Sequence, residues 1–538
     1  MRRSPPGRIR QRNESAANWR GFLKHKAQAS ELALHCRTLS SAVYAGRGAG
    51  EPGGRRASGW IAQKAKELGL VAWHGRRHFF QPVPLGYSLV KAQSSNLMAI
   101  RIGDRSRQDL SVQDELLVRS QQTSVELDGT ALVFVGYGIV APQFNWNDYS
   151  GLDVSGKVVV ILPNDPGGER FLGERMTYYG RWEYKYEEAA RQGAVGAVIV
   201  HTDELFGSPF TLVINEMRRA LRFLPGTPRS RLQFEGICSE RFGREVLSSS
   251  GVDLDAFLVA PRPMGRHADR LRASLHMHLS FEVTVRRCRN VLAMRKGKLF
   301  PRQCILLCAH WDHLGQTSDP AQPRGYYPGA VDNAVGVSVL LDLAKRLTQA
   351  SPLCRTVLFA WTSAEEVGML GSARAAQWIR DTGLDVVAAF NVDGFVPIGK
   401  TRDLNVVDGD QSDLPTTLMH AATAFERFIT LDDDPRAGYF YRSDQASFAK
   451  IGIPSLQVST GADLMKGGVQ EGAKRHDFYD THNYHRTSDT FNRYWDFTSI
   501  CADIDVIHEA LLLLGNSSRR PKLRSHGEGH GQATQDAR

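Results

Sequence analysis

The sequence predicts an α/β fold: a doubly wound, mostly parallel sheet flanked by helices, with a β-rich insert earlier in the chain. Three observations carry this. From about residue 285 onward, near-continuous apolar runs alternate with segments of helical periodicity, the pattern of strands buried between two layers of helices. Between 120 and 280 the texture is β-rich, with apolar runs bounded by Gly, Asn and Pro. At 538 residues the chain exceeds one simple core, so more than one domain is expected.

In order along the chain, residues 1–27 are basic and expected to be disordered. "SELALHCRTLSSAVYAG" reads as an amphipathic helix, "GRGAGEPGG" as a loop, and "RRASGWIAQKAKELGL" as a second helix with a Gly near its end. These and the extended segments after them form the first part of the main domain, 28–119. The insert spans 120–282: "TALVFVGYGIV" and "GKVVVILPND" are strands, "YKYEEAARQGAVGAVIVH" is a helix, a Gly turn and a buried strand, and "LHMHLSFEVTVRRCRNVLAM" closes it with further strands. The main domain resumes over 283–515. Its strands are "RNVLAM", "CILLCAH", "TVLFAWTS", "VVAAFNVD" and "PSLQVST"; its helices are "NAVGVSVLLDLAKRL", "GSARAAQWIRDTG", "PTTLMHAATAFERF" and a last one ending "VIHEALLLLG". The tail, 516–538, is polar and expected to be disordered.

Composition narrows the function classes. A chain that is 42% hydrophobic and 23% charged has the balance of a soluble globular protein. The net charge of +10 lies at the ends: residues 1–30 carry +7 and residues 516–538 carry +3, so the body is neutral and nucleic-acid binding is not expected. Seven scattered cysteines with no CxxC indicate neither a disulfide framework nor a thiolate metal site. No apolar run reaches the roughly 18 residues of a membrane span, and no apolar segment follows the basic start, so no membrane span and no export signal are expected.

In open α/β sheets the site forms beyond the carboxyl ends of the strands. "CILLCAH" ends in His310, "TVLFAWTSAEE" in Glu365 and Glu366, and "VVAAFNVD" in Asp393. Asp332 sits in the Gly-rich "GAVDNAVG" at a helix start, and His485 in "NYHRTSD" beyond "PSLQVST". Each has an ordinary structural reading alone: Asp332 as a helix N-cap, Asp393 as a turn cap, His310 as a core histidine, the glutamates as a solvated turn. Together, two histidines and three carboxylates are a ligand set for divalent metals, and two metals sharing one carboxylate would use them all. Glu365 is then left over, and amide hydrolysis at such a site needs one non-ligating base to move a proton from water to the leaving amine.

The motifs "AHWDHLG", "GAVDNAVG", "TSAEEVGMLGS", "NVDG", "RSDQASFAKIGIPS" and "YHRTSD", spanning about 285–512, together resemble the co-catalytic zinc aminopeptidases, a group with glutamate carboxypeptidase-type and glutaminyl cyclase-type members. The segment 120–282 resembles the protease-associated domain inserted in many of them. The resemblance implies the zinc exopeptidase fold, peptide substrates and two Zn2+ ions. It makes Asp332 the bridging ligand, with His310 and Asp393 completing one zinc site, Glu366 and His485 the other, and Glu365 the general base. Asp312 matches the acid that orients the imidazole; Asp489 is a candidate for the same task or a loop cap; Tyr484 matches a tyrosine that stabilises the oxyanion. His313 reads as structural, and Ser443 and Asp444 receive no role. Val335 stands where the group usually has Ser. Such proteins are commonly exported, to a periplasm or outside the cell; either the written start misses or replaces a signal, or this member stays in the cytoplasm. A carboxypeptidase, a glutaminyl cyclase and a catalytically dead binding protein are the alternatives on this scaffold.

Overall fold

The computed structural model describes residues 28–524, except for 74–75, 92–96, 104–107, 110–114, 174, 203–204, 206–208, 262–269, 318, 320–323 and 432–436. The described residues divide into two compact units, one within 28–82, 288–431 and 443–524, the other mainly within 83–287; the ends expected to be disordered, 1–27 and the tail from 525 on, lie outside the described residues.

The first unit opens with helix α1 (28–39) and helix α2 (Pro52–Glu67), followed by the short strand β1 (Val71–Ala72). The carboxyl end of the long strand β2 (Arg270–Arg295) re-enters it. There follow β3 (Phe300–His310), α3 (Gly336–Gln349), β4 (Arg355–Thr362), α4 (Leu370–Thr382), β5 (Asp385–Val392) and β6 (Asp403–Val407). The remainder is α5 (Pro415–Thr423), β7 (Phe428–Leu431), β8 (Ser455–Thr460), α6 (Gly468–His482) and α7 (Phe497–Gly515). The sheet runs β7–β6–β8–β5–β3–β4–β2–β1, with β8, β5, β3 and β4 parallel and β6, β2 and β1 joined antiparallel.

The central strands are parallel because helices cover both faces, and their sequences show it: every residue of β4 and all but the first of β5 are buried. Below the sheet, Trp73, Leu306, Cys308, Leu358 and Ala389 pack with Ala375, Ala376 and Ile379 of α4. Register then fixes the site. His310 lies opposite Thr362, and Cys308 opposite Asn391, so His310, the Glu365–Glu366 turn and Asp393 leave the sheet at one edge.

Strands β6 and β7, parallel to each other and joined to β8 antiparallel through β6, and helix α6 are absent from the sequence reading. Only Gly472 and Tyr479 of α6 are buried, so this helix carries no apolar stripe to reveal its period. All seven cysteines are free, and Cys304 and Cys308 lie in the core as their run suggests.

The second unit is a mixed sheet with its own core. Strands Ser124–Phe134, Val158–Ile161, Gly196–Val200 and Phe234–Cys238 run parallel in that order, and Leu116–Arg119 pairs antiparallel with the last. Leu97–Ile102 and Ser124–Phe134 flank the opening stretch of β2, both antiparallel to it. The strands at 97–102 and 116–119, which the sequence reading places with the main domain, thus pair inside this unit. Apolar clusters built around Phe134, Phe234 and Leu275 on one side, and Val159, Ile199 and Ile237 on the other, fill its two faces.

Candidate active site

His310 is the last residue of β3, and its ring is fully buried. Its Nε2 lies 3.3 Å from Oδ1 of Asp332 and 3.7 Å from Oδ1 of Asp393. Asp332 comes from the turn before α3, and its other oxygen, Oδ2, lies 3.2 Å from Nε2 of His485. His485 in turn stands 3.0 Å from Oε2 of Glu366. One carboxylate, Asp332, therefore presents a separate oxygen to each of two imidazoles, with Asp393 beside the first and Glu366 beside the second.

The backbone bends to achieve this. Ala364 (φ 57°) and His485 (φ 54°) are non-glycine residues in the left-handed region, at an expense of roughly 1–2 kcal/mol each that surrounding contacts must offset. After Ala364 the turn closes through the Gly368 and Met369 N–H groups, both 2.9 Å from the Glu365 carbonyl, and aims two successive glutamates at the sheet edge. Oxygen atoms of Glu365 and Glu366 and a ring nitrogen of His310 lie within 4.8 Å of one another.

All five expected ligand positions and Glu365 thus come together. Tyr484 stacks on the His485 ring, with centroids 3.9 Å apart and planes 21° from parallel, and is half-exposed beside the cluster. Asp312 is arranged differently from expectation: its backbone carbonyl, 3.2 Å away, meets His310 Nδ1, while its carboxylate accepts the Glu365 N–H at 3.2 Å. Asp489 does not orient an imidazole. It lies under the Asp332 turn and accepts the N–H groups of Val331 and Asp332, with the Tyr479 hydroxyl donating to it at 3.3 Å.

Sequence reasoning passed over three contributors. His313, read as structural, has Nδ1 2.5 Å from Oε1 of Glu366 and 3.7 Å from Oδ2 of Asp332, inside the cluster. Its place three residues after His310 is a signal that could have found it. Ser443 donates its hydroxyl to Oδ2 of Asp393 at 2.7 Å, fixing that carboxylate. Asp444 accepts the hydroxyl of Thr362 at the end of β4, which ties the 443–444 segment to the sheet edge. The motif "RSDQASF" marks this segment in the sequence, but not which groups the two side chains meet.

The electrostatics follow from burying this many acids together. Burial opposes ionisation of Asp332 and Glu366, yet the surrounding imidazoles, His313 first, hold both carboxyls below the usual carboxylate range. Burial, with the charges of Glu366 and Asp393 added, drives Glu365 well above it. Burial likewise raises Asp312 to about 7. Burial disfavours a charged His485, but Asp332 and Glu366 outweigh it and lift the ring to about 10.

The donor set suits zinc. Ligands 2.0–2.1 Å from a tetrahedral zinc stand about 3.3 Å from one another. The His310–Asp332, His485–Asp332 and His485–Glu366 separations are 3.3, 3.2 and 3.0 Å. Imidazole and carboxylate are also the ligands such an ion accepts.

Residues 290–508 match the model of peptidase family M28. The chain is 32% identical over 211 residues to leucine aminopeptidase 2 of Trichophyton rubrum, covering 37% of this chain and 40% of that one. It is 35% identical over 103 residues to a probable zinc metalloprotease of Pyrenophora teres f. teres, covering 19% and 22%. The chain thus spans two fifths or less of the length of these curated relatives. Among solved structures it is similar to an aminopeptidase from Aneurinibacillus sp. strain AM-1, at 20% identity and a TM-score of 0.47, covering 91% of this chain and 95% of that one. The matched segment, 290–508, carries every site residue expected from the sequence.

Proposed function

We propose that this chain is a zinc-dependent aminopeptidase that removes residues from the amino end of peptides. The observation that carries the reading is the Asp332 carboxylate, with one oxygen turned to His310 and the other to His485. That is the arrangement expected of a ligand shared by two ions, with Asp393 completing one position and Glu366 the other. When bound, the two zinc ions would supply Lewis acidity to an attacking water and to the scissile carbonyl.

The chain's own residues do the rest. Glu365 is the general base: it takes the proton of the attacking water and delivers it to the leaving amine, so it regains its starting state. Tyr484, stacked on His485 and half-exposed, is the residue that donates its hydroxyl to the developing oxyanion. The carboxylate of Asp312 steadies the base by accepting the Glu365 N–H. The second unit is read as a protease-associated domain.

A panel of aminoacyl-arylamides and amino-blocked peptides, assayed with and without a chelator, tests the reading. Chelator-sensitive release from free amino ends only is the expected result. Cleavage from the carboxyl end, or cyclisation of amino-terminal glutamine by a chain holding one zinc, would replace it with another enzyme on this scaffold. Full activity in chelator would overturn metal dependence.

A further inference from the structure

The turn of residues 328–332, which presents Asp332, is gripped from two sides by fully buried side chains of opposite charge. Arg47 has five N–H donors, and each reaches a backbone carbonyl. Nε donates to Trp311 at 2.8 Å, Nη1 to Leu39 at 2.9 Å and Pro328 at 2.7 Å, and Nη2 to Gly329 at 2.8 Å and Asp332 at 3.4 Å. Three of those five carbonyls belong to the turn. Asp489 does the converse: its carboxylate accepts the N–H of Val331 at 3.0 Å and of Asp332 at 3.2 Å, and its carbonyl accepts that of Ala330 at 3.1 Å. One residue holds the carbonyls and the other the amides.

Arg47 is built into this place. It adopts a left-handed conformation (φ 50°) directly after Gly46 (φ 74°), and a Cβ on Gly46 would collide with the carbonyls of Gly315 and Tyr327. No neutral side chain offers five donors in a fixed fork, and lysine offers three from a single point. Among the described residues, no carboxylate forms an ion pair with the guanidinium. Its charge stands instead behind the acidic cluster, where Asp332 and Asp489 favour it against the effect of burial.

We propose that Arg47 and Asp489 are positioning residues that set the Asp332 carboxylate between His310 and His485 by fixing its backbone, and thereby set the affinity of both metal positions that share it. This rests on reading Asp332 as the shared ligand. The grip comes from two segments distant in sequence from the turn.

The test uses the whole chain stripped of metal, as wild type, Arg47→Lys, Asp489→Asn and the double variant. Zinc affinity is read by competition with a chromophoric chelator, circular dichroism checks the fold, and kcat and KM are measured on one aminoacyl-arylamide. Each single variant is expected to weaken zinc binding at both positions by roughly 10- to 100-fold, to lower kcat and to leave KM nearly unchanged. Because both act on one turn, the double variant should lose less than the product of the two effects. Both singles binding two zinc ions with wild-type affinity, or full additivity in the double, would overturn the clamp while leaving the metal site standing. A wild-type chain that binds no zinc would overturn the metal reading and the clamp with it. If Arg47→Lys does not fold, Asp489→Asn carries the test by itself, since it keeps the shape of the side chain.

Discussion

His313 Nδ1 lies 2.5 Å from Oε1 of Glu366, with both side chains almost fully buried, so a histidine outside the expected ligand set touches the carboxylate at the centre of the cluster. Its Nε2 has no hydrogen-bond partner among the described residues. An imidazole in this position steadies the Glu366 carboxylate and, from 3.7 Å, faces Asp332 as well. His313→Ala is expected to weaken zinc retention about tenfold or more, measured as metal content after dialysis against a graded chelator. A variant that only melts earlier, with wild-type zinc retention, would return His313 to a packing role.

The two adjacent glutamates should not be interchangeable. Glu366 faces His485 and His313, whereas the Glu365 N–H is fixed by Asp312. Glu366→Gln is expected to lose zinc. Glu365→Gln should keep wild-type zinc stoichiometry while kcat falls on the order of 100- to 10,000-fold. Metal analysis and single-substrate kinetics on the same preparations decide between them; near-wild-type turnover in Glu365→Gln would remove it as the base.

Ser443 provides a gentler perturbation. Ser443→Ala deletes the 2.7 Å hydrogen bond to Asp393 and the acceptor for Asn391, although Asn391 keeps its bond to Gln445 at 2.9 Å. A loss of about 1 kcal/mol in orientation of Asp393 corresponds to roughly fivefold in zinc affinity. Calorimetric zinc titration checks this, and Ser443→Thr, which retains the hydroxyl, should restore most of it.

The second unit supplies a pH-dependent stability term. Lys185 is fully buried and donates to the carbonyls of Tyr137 at 2.5 Å and Asn164 at 2.6 Å. Burial pushes its pKa down to about 7, against the pull of Asp148 and Asp165. The unfolded chain keeps that proton up to about 10.4, so it binds more protons than the folded state between the two values. This contribution therefore rises with pH across about 7 to 10 and is lost as pH falls through the folded value. Thermal unfolding from pH 6 to 10 should show that slope in the wild type and a flatter one in Lys185→Met. Parallel curves would show that the lysine does not titrate in this window.

Much of the site was legible before any tertiary structure. Residues at strand ends can be read from apolar runs, and the rule that α/β sites form there brought His310, Glu365, Glu366 and Asp393 to one edge without coordinates. Helix α6 was not legible, because a helix with two buried residues leaves no periodic trace. Nor were β6 and β7, short strands at the sheet margin whose pairing depends on partners far along the chain.

What the sequence determined by itself was chemical identity and local order: alternating strands and helices, a set of imidazole and carboxylate groups, and a base left over beside a ligand. These follow from side-chain type and short-range periodicity, which any local window contains. What only the tertiary structure decided was which groups hold those residues in place. Arg47 meets carbonyls from three separate stretches of chain, Asp489 turns to backbone amides instead of a ring, and His313 lies inside the cluster. Backbone groups look alike in every sequence, so a side chain that recognises them has no partner to be read until the chain has folded around it.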